Sequence, residues 1–238
     1  MGKENGEWIL HGRTGPGQLR TPEELEARVE ELGFLPLFEN EIKGFSVEEH
    51  TDPADWWTDD EARDPWSWRE QLARRGRVVY GKFFGGRAGF VSLDWFPRFA
   101  NARRDGYDFD ALWEEGKAKA KMKRIMDLFP GREELFSNEV RRLAGFGSQG
   151  EHGFEGTLTA LQMLTYLVVR DFRSRLNKAG QPYGWHIAVL CTPEARWGYD
   201  AVTSAYSEEP ADSREAIILH LRSCLPEAGE TALRRLMK

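Results

Sequence analysis

Residues able to do chemistry are concentrated between positions 45 and 69. Phe45-Ser-Val-Glu-Glu-His-Thr51 leads into Trp56-Trp57-Thr-Asp-Asp60 and then Asp64-Pro-Trp66-Ser-Trp68-Arg69. Flat indole faces hold a nucleobase or another planar ligand by stacking, and carboxylates or an imidazole beside them serve as general acids and bases once burial adjusts their pKa. Glu48, Glu49, His50 and Asp59 are therefore candidate catalytic groups, and Trp56, Trp57, Trp66 and Trp68 candidate stacking surfaces. The competing expectation is that the tryptophans fill a core beneath a long loop while the acids cap helices, as Asp64 must do directly before Pro65. A second group is Tyr80-Gly-Lys-Phe-Phe84, where Lys82 sits among aromatics inside an expected strand and either snorkels outward or is held for a purpose. A third is the pair Arg103 and Arg104, placed before a turn and open to two roles: clamping phosphate, or meeting Asp105, Asp108 and Asp110.

One literal motif carries no such weight. Gly145-Phe-Gly147-Ser-Gln-Gly150 matches the dinucleotide fingerprint letter for letter, but it follows an expected helix rather than a strand and reads as an interhelical turn. No Walker A loop, metalloprotease His-Glu-x-x-His or hydrolase Gly-x-Ser-x-Gly occurs.

The elements that would position these groups are clearest from Glu133 to Pro193. Leu135, Phe136, Val140 and Leu143 recur at helical spacing up to Gly145. Phe154, Leu158 and Leu161 do so again, leaving Glu155, Thr159 and Gln162 on an expected outward face. Tyr166 to Phe172 and Tyr183 to Cys191 then read as strands around a basic turn. Helix, turn, helix and hairpin in that order spell a winged helix-turn-helix, with Thr159 and Gln162 as base readers and Arg170, Arg173, Arg175 and Lys178 as phosphate contacts on the wing. Earlier, Thr21-Pro22 opens a capped helix, Phe34 to Phe38 reads as a buried extended segment, Asp64-Pro65 opens a second helix, and Gly85-Gly86 joins Val78 to Phe84 with Arg87 to Ser92 as a hairpin. The expected fold class is α+β with tandem winged-helix units: an arm over 1–20, a first unit over 21–107, a long connector helix over 108–131, a second unit over 132–193 and a C-terminal helical segment over 194–238, its helix capped by Asp212.

The 238 residues are 40% hydrophobic and 12% aromatic, enough for real cores. No apolar run reaches the length of a membrane span and the N-terminus lacks the regions of a signal peptide, so a cytoplasmic protein is expected. Two cysteines and five scattered histidines suggest neither a disulfide framework nor a metal site, and no cofactor is expected. A net charge of -6 argues against gripping nucleic acid by bulk electrostatics. The charge is uneven, however: Glu23 to Glu61 carries fourteen acids against Arg28 and Lys43, while Ala62 to Arg104 carries ten bases against Asp64, Glu70 and Asp94. The two stretches either pair with each other or leave a phosphate-facing patch.

Glu30-Glu-Leu-Gly-Phe-Leu-Pro-Leu-Phe38, Gly44-Phe-Ser-Val-Glu-Glu-His50, Asp64-Pro-Trp-Ser-Trp-Arg69, Tyr80-Gly-Lys-Phe-Phe84, Arg103-Arg-Asp-Gly-Tyr-Asp-Phe-Asp110 and Leu161-Gln-Met163 together resemble the bacterial AlkZ-related proteins, over nearly all of the chain from Thr21 onward. The resemblance implies kinship with the AlkZ and YcaQ DNA glycosylases, tandem winged-helix enzymes that excise alkylated or crosslinked bases. In those enzymes a Gln-x-Gln or Gln-x-Asp motif after a helix ending in Leu-Gly positions the hydrolytic water. Here that segment is Leu32-Gly-Phe-Leu-Pro-Leu37, whose side chains cannot orient water. The expected activity is nucleic-acid binding, with double-stranded DNA as the partner. The alternatives are a diverged glycosylase using Glu48, Glu49 or His50, and a small-molecule enzyme with a pocket lined by Trp56, Trp57 and Trp68.

Overall fold

The computed structural model describes residues 2–4, 7–10, 12, 15, 17–147, 150–177 and 179–237, with backbone alone for 2–4 and 7–9. Two short strands, β1 (Gly2–Glu4) and β2 (Glu7–Ile9), pair antiparallel at the start. The body then runs α1 (Pro22–Leu32), β3 (Phe34–Pro36), α2 (Pro65–Arg75), β4 (Val78–Phe84), β5 (Arg87–Ser92), α3 (Phe96–Arg104), α4 (Phe109–Glu114), α5 (Ala120–Met126), β6 (Leu135–Phe136), α6 (Ser137–Leu143), α7 (Phe154–Met163), β7 (Val168–Leu176), β8 (Pro182–Cys191), α8 (Pro193–Trp197), α9 (Tyr199–Val202), α10 (Pro210–Cys224) and α11 (Glu230–Leu236).

Local chemistry explains the first elements. The Thr21 hydroxyl accepts from the Glu24 amide, Pro22 occupies the first turn, and Gly33 closes α1 at φ 76°. Leu25, Val29 and Leu32 form its buried stripe. Asp64 caps α2 through the Trp66 amide, and the same carboxylate holds the Trp57 amide. That second bond helps to fix Trp57 at φ 58°, a left-handed conformation that is strained for a bulky side chain.

Six strands form one antiparallel sheet in the order β3-β5-β4-β7-β8-β6. The order is palindromic in kind. Each half has a short outer strand, the second strand of a hairpin and then its first strand, and the two first strands meet at the centre. They meet at a single residue pair, Tyr80 with Val169. Across this seam α2 packs on β7 and α7 on β4, so each half's main helix covers the other half's hairpin. The apolar faces merge into one core that includes Phe34, Leu72, Phe90, Leu161, Val168 and Leu190.

Several expectations are corrected. The long connector helix over 108–131 is two short helices, because Gly116 turns the chain at φ 69° and the Lys117 amide folds back onto the Leu112 carbonyl. Leu135 and Phe136 are not helical; they pair with Leu190 and Val189 as an outer strand, and α6 begins only at Ser137, with Leu143 exposed. Glu209 rather than Asp212 stands at the N-cap position of α10, with no side-chain cap bond, and Asp212 lies in the first turn. Strand β7 runs on to Leu176, past the Phe172 boundary. Some of the opposite charges of the first hundred residues pair with each other, while Arg74, Arg98 and Arg104 meet the later acids Asp171, Glu208 and Glu194. Arg75 meets Glu23 at 2.6 Å and Arg77 meets Glu26 at 3.3 Å, while Arg63 meets Asp55 at 2.8 Å.

Candidate functional site

The sheet opens where β4 leaves β7. After Gly81 pairs with Gly89, the next registered pair is Phe84 with Arg87, so Lys82 and Phe83 form a bulge. A bulge leaves a backbone group without its ladder partner and redirects a side chain. The group here is the Lys82 amide, and Gln162 of α7 satisfies it: the side-chain Oε1 accepts at 3.0 Å. Gln162 is 2% exposed. This corrects its expected position on an outward face, because α7 lies against β4 and the bulged amide draws an acceptor inward.

Beside this junction lies a cavity of about 360 Å³. Its floor comes from Tyr80, Lys82 and Ala88 of the first hairpin and from Val169, Phe172, Ala188 and Leu190 of the second; Trp66 and Arg69 of α2 form one wall, and Phe154, Glu155, Leu158 and Gln162 of α7 the other. The Arg69 guanidinium is sandwiched between the Trp66 ring at 3.7 Å and the Phe172 ring at 4.0 Å. Its Nε is buried without a hydrogen-bond partner, while one terminal nitrogen donates to Glu70 at 3.1 Å. The Tyr80 ring meets Phe172 edge-on, with centroids 5.8 Å apart. Burial pushes the Tyr80 phenol above its ordinary pKa, with Arg69 opposing the shift, so at neutral pH it is a neutral hydroxyl. The space suits a flat ligand with hydrogen-bonding edges, held between aromatic rings and a desolvated cation.

A second, more open cleft of about 750 Å³ adjoins it and shares Phe172 and His186 with the cavity. Arg74, Arg173 and Arg175 line it, together with Phe136, Asn138, Glu139 and Tyr183. Arg175 lies 4.9 Å from the Tyr183 ring centroid and has no carboxylate partner among the described residues. Where cavity and cleft meet, His186 of β8 places Nδ1 2.7 Å from Glu70 Oε2 of α2.

The other sequence candidates lie elsewhere. Glu48 accepts from the Glu39 amide at 2.8 Å; Glu49 accepts from the Gly44 amide and the Ser46 hydroxyl, each at 2.7 Å; His50 Nε2 lies 2.9 Å from the Gly44 carbonyl. These three tie the loop over 39–51 into shape, and Asp59 is exposed on the segment that follows. Trp56 and Trp68 are core side chains whose indole N–H groups donate to Thr51 Oγ1 and the Ala62 carbonyl. Trp57 is 43% exposed, and Trp66 alone of the four reaches the cavity.

Arg103 and Arg104 end α3 directly before the turn at Asp105 and Gly106, as expected, but not as open clamps: Arg104 is buried and Arg103 half-buried. Arg103 donates to the Phe83 carbonyl at 2.7 Å, and burial together with the like charge of Arg214 lowers its pKa to about 10. Arg104 donates to the Thr165 carbonyl at 2.7 Å and hydroxyl at 3.1 Å, to Glu194 at 2.5 Å and to Tyr206 at 3.2 Å. Thr159 is half-buried, over Gly86 of the first hairpin's turn. Arg170 and Arg173 pair with Glu134, and Arg173 also with Asp171; Lys178 lies outside the described residues. Sequence reasoning missed Arg69, Glu70 and His186. Arg69 had a signal in its neighbours Trp66 and Trp68, whereas the Glu70 to His186 contact joins residues too far apart to be read locally.

No group of histidine, cysteine and carboxylate side chains able to hold a metal ion occurs among the described residues, and no described helix is long and apolar enough to cross a membrane. No curated protein and no solved structure matches the chain. One family model does, over residues 19–238, nearly the whole length. On that match the chain belongs to the AlkZ-related family.

Proposed function

We propose that this is a DNA-binding protein built from two winged-helix units, one on each side of the β4–β7 seam, that takes a displaced base into the cavity between them. The strand order supports the two-unit reading: α1-β3-α2-β4-β5 and α5-β6-α6-α7-β7-β8 both run from a helix and a short strand through helix to a hairpin, one helix in the first and two in the second, with the short strand paired to the hairpin's second strand. Membership of a family named for DNA glycosylases supports the substrate class. The observation that carries the proposal is the adjacency of an aromatic cavity of base size to an arginine-lined cleft, the two sharing Phe172 and His186.

This mode differs from a helix laid in the major groove. Gln162 is committed to the Lys82 amide, and Arg170 and Arg173 are paired with acids, which leaves few cations to neutralise phosphates. Binding should therefore depend only weakly on salt, with a log–log slope of roughly -1 to -3 rather than the steep slopes of basic DNA-binding domains. The test is fluorescence anisotropy of duplexes, fully paired and carrying one 7-methylguanine, across a salt series. Tighter binding of the lesion duplex that Trp66→Ala removes and Trp57→Ala leaves intact is the expected result. Equal affinity for both duplexes in every variant would refute use of the cavity, and binding of free purine nucleoside without DNA binding would make this a small-molecule site.

A further inference from the structure

We infer that His186, oriented by Glu70, is the general base of an N-glycoside hydrolysis carried out where the cavity meets the cleft. The inference rests on the reading that a base enters the cavity. Given that reading, geometry assigns the rest of the nucleotide: the base lies among Trp66, Tyr80 and Phe172, the phosphodiester backbone runs along the cleft past Arg175, with Arg74 and Arg173 held by Asp171 and Glu134 beside it, and the sugar must sit between them, at the two residues the spaces share. One of these is Phe172, which has no proton chemistry. The other is His186.

Three features equip His186 for the role. Its Nδ1 is 2.7 Å from Glu70 Oε2, which selects the Nδ1–H tautomer and leaves Nε2 with a lone pair. Nε2 has no protein partner among the described residues. Glu70, 15% exposed, is itself held by Arg69, so its orientation is tied to the guanidinium that stacks on the base-lining ring of Trp66. The charged and titratable groups around the pair are Arg69, Glu70 and Arg74 of α2, Tyr80 and Lys82 of β4, Glu139 of α6, Glu155 of α7, and Asp171, Arg173, Arg175 and Tyr183 of the second hairpin.

In the step proposed, a water oxygen bonds to the anomeric carbon as the carbon–nitrogen bond breaks, its electron pair leaving with the base. The proton lost by the water passes to His186 Nε2 and from there to solvent, because a cationic 7-methylguanine that takes the bonding pair leaves as the neutral base. No oxidant, metal or cofactor enters the balance.

The experiment uses the full chain and a duplex with one 7-methylguanine, scoring affinity and strand cleavage after hot alkali in the same samples. His186→Gln keeps an amide donor for Glu70, and so keeps the tie between β8 and α2, but has no base to offer. It should bind within twofold of the parent and lose cleavage by roughly 10²- to 10⁴-fold. Glu70→Gln should lower cleavage less and preserve affinity. Nitrogen NMR of the imidazole in the parent protein should show the proton on Nδ1, facing Glu70. Binding that depends on Trp66 without any cleavage overturns the inference and leaves the base-binding reading standing. Cleavage unaffected by His186→Gln, or an Nε2–H tautomer, overturns the inference as well. Absence of DNA binding removes the base-binding reading, and the inference with it.

Discussion

Replacing Gln162 with leucine separates a structural glutamine from a base reader. In the structure its Oε1 is the acceptor for the bulged Lys82 amide, deep between α7 and β4. Leucine has similar volume and no acceptor, so the substitution leaves a buried N–H unsatisfied while changing packing little. The desolvation cost of such a group is about 1–3 kcal/mol. For a protein of this size each kcal/mol shifts Tm by roughly 2–4 °C, so a fall of about 2–12 °C is expected. Amide exchange at Lys82 should accelerate, because its hydrogen bond is lost locally whatever the global stability does. Gln162→Glu, which retains an oxygen acceptor, should protect that amide better than leucine does. The assay is a thermal melt together with residue-resolved hydrogen exchange. A leucine variant that melts within 1 °C of the parent and keeps a slow Lys82 amide, while losing DNA affinity, would refute the reasoning and return Gln162 to a reading face.

Three further outcomes follow from other parts of the fold. Arg104→Met should destabilise by about 3–5 kcal/mol, since it strands Glu194 and the Thr165 carbonyl around a buried position; chemical denaturation measures it, and a loss below 1 kcal/mol would contradict the buried network. Arg175→Met, at a partly solvated hairpin position, should leave stability within about 0.5 kcal/mol and weaken DNA binding several-fold, as anisotropy would report. Burial pushes the Cys191 thiol up from about 9 to about 11, so a stability contribution of roughly 2–3 kcal/mol is fully present below pH 9 and is lost as pH rises through 11. Cys191→Ala should flatten that alkaline decline in a pH series of urea midpoints, and an unchanged decline would show that the thiol is not its source.

What could be read from the sequence divides along a physical line. Thr21-Pro22, Asp64-Pro65 and Gly85-Gly86 act through bonds a few residues long, and the helices and hairpin they announce fall within the expected limits. The stripe of Phe154, Leu158 and Leu161 likewise has one natural partner, a core. Leu135-Phe136 is different: its spacing fits a helix as well as a strand, and only pairing with β8 decides between them. Gln162 looked outward because a polar side chain on an amphipathic helix usually is, and its inward turn answers a bulge eighty residues earlier. Arg170 and Arg173 looked like phosphate contacts until the chain brought Glu134 beside them. The aromatic loop drew notice for its composition. Much of it fills a core, and the cavity borrows only Trp66 from the four tryptophans, taking Tyr80 and Phe172 from strands and Phe154 from α7.

The single residue pair joining β4 to β7 bears on how this protein can change over time. A void dug out of a close-packed interior by shortening side chains collapses or destabilises its host. The opening here exists because two backbones diverge, and the amide this exposes is already satisfied from α7. Exchanges at Trp66, Lys82, Glu155 or His186 should therefore alter which molecule is accepted at little cost to folding. Relatives sharing the split seam can be expected to differ in ligand while remaining superimposable in backbone.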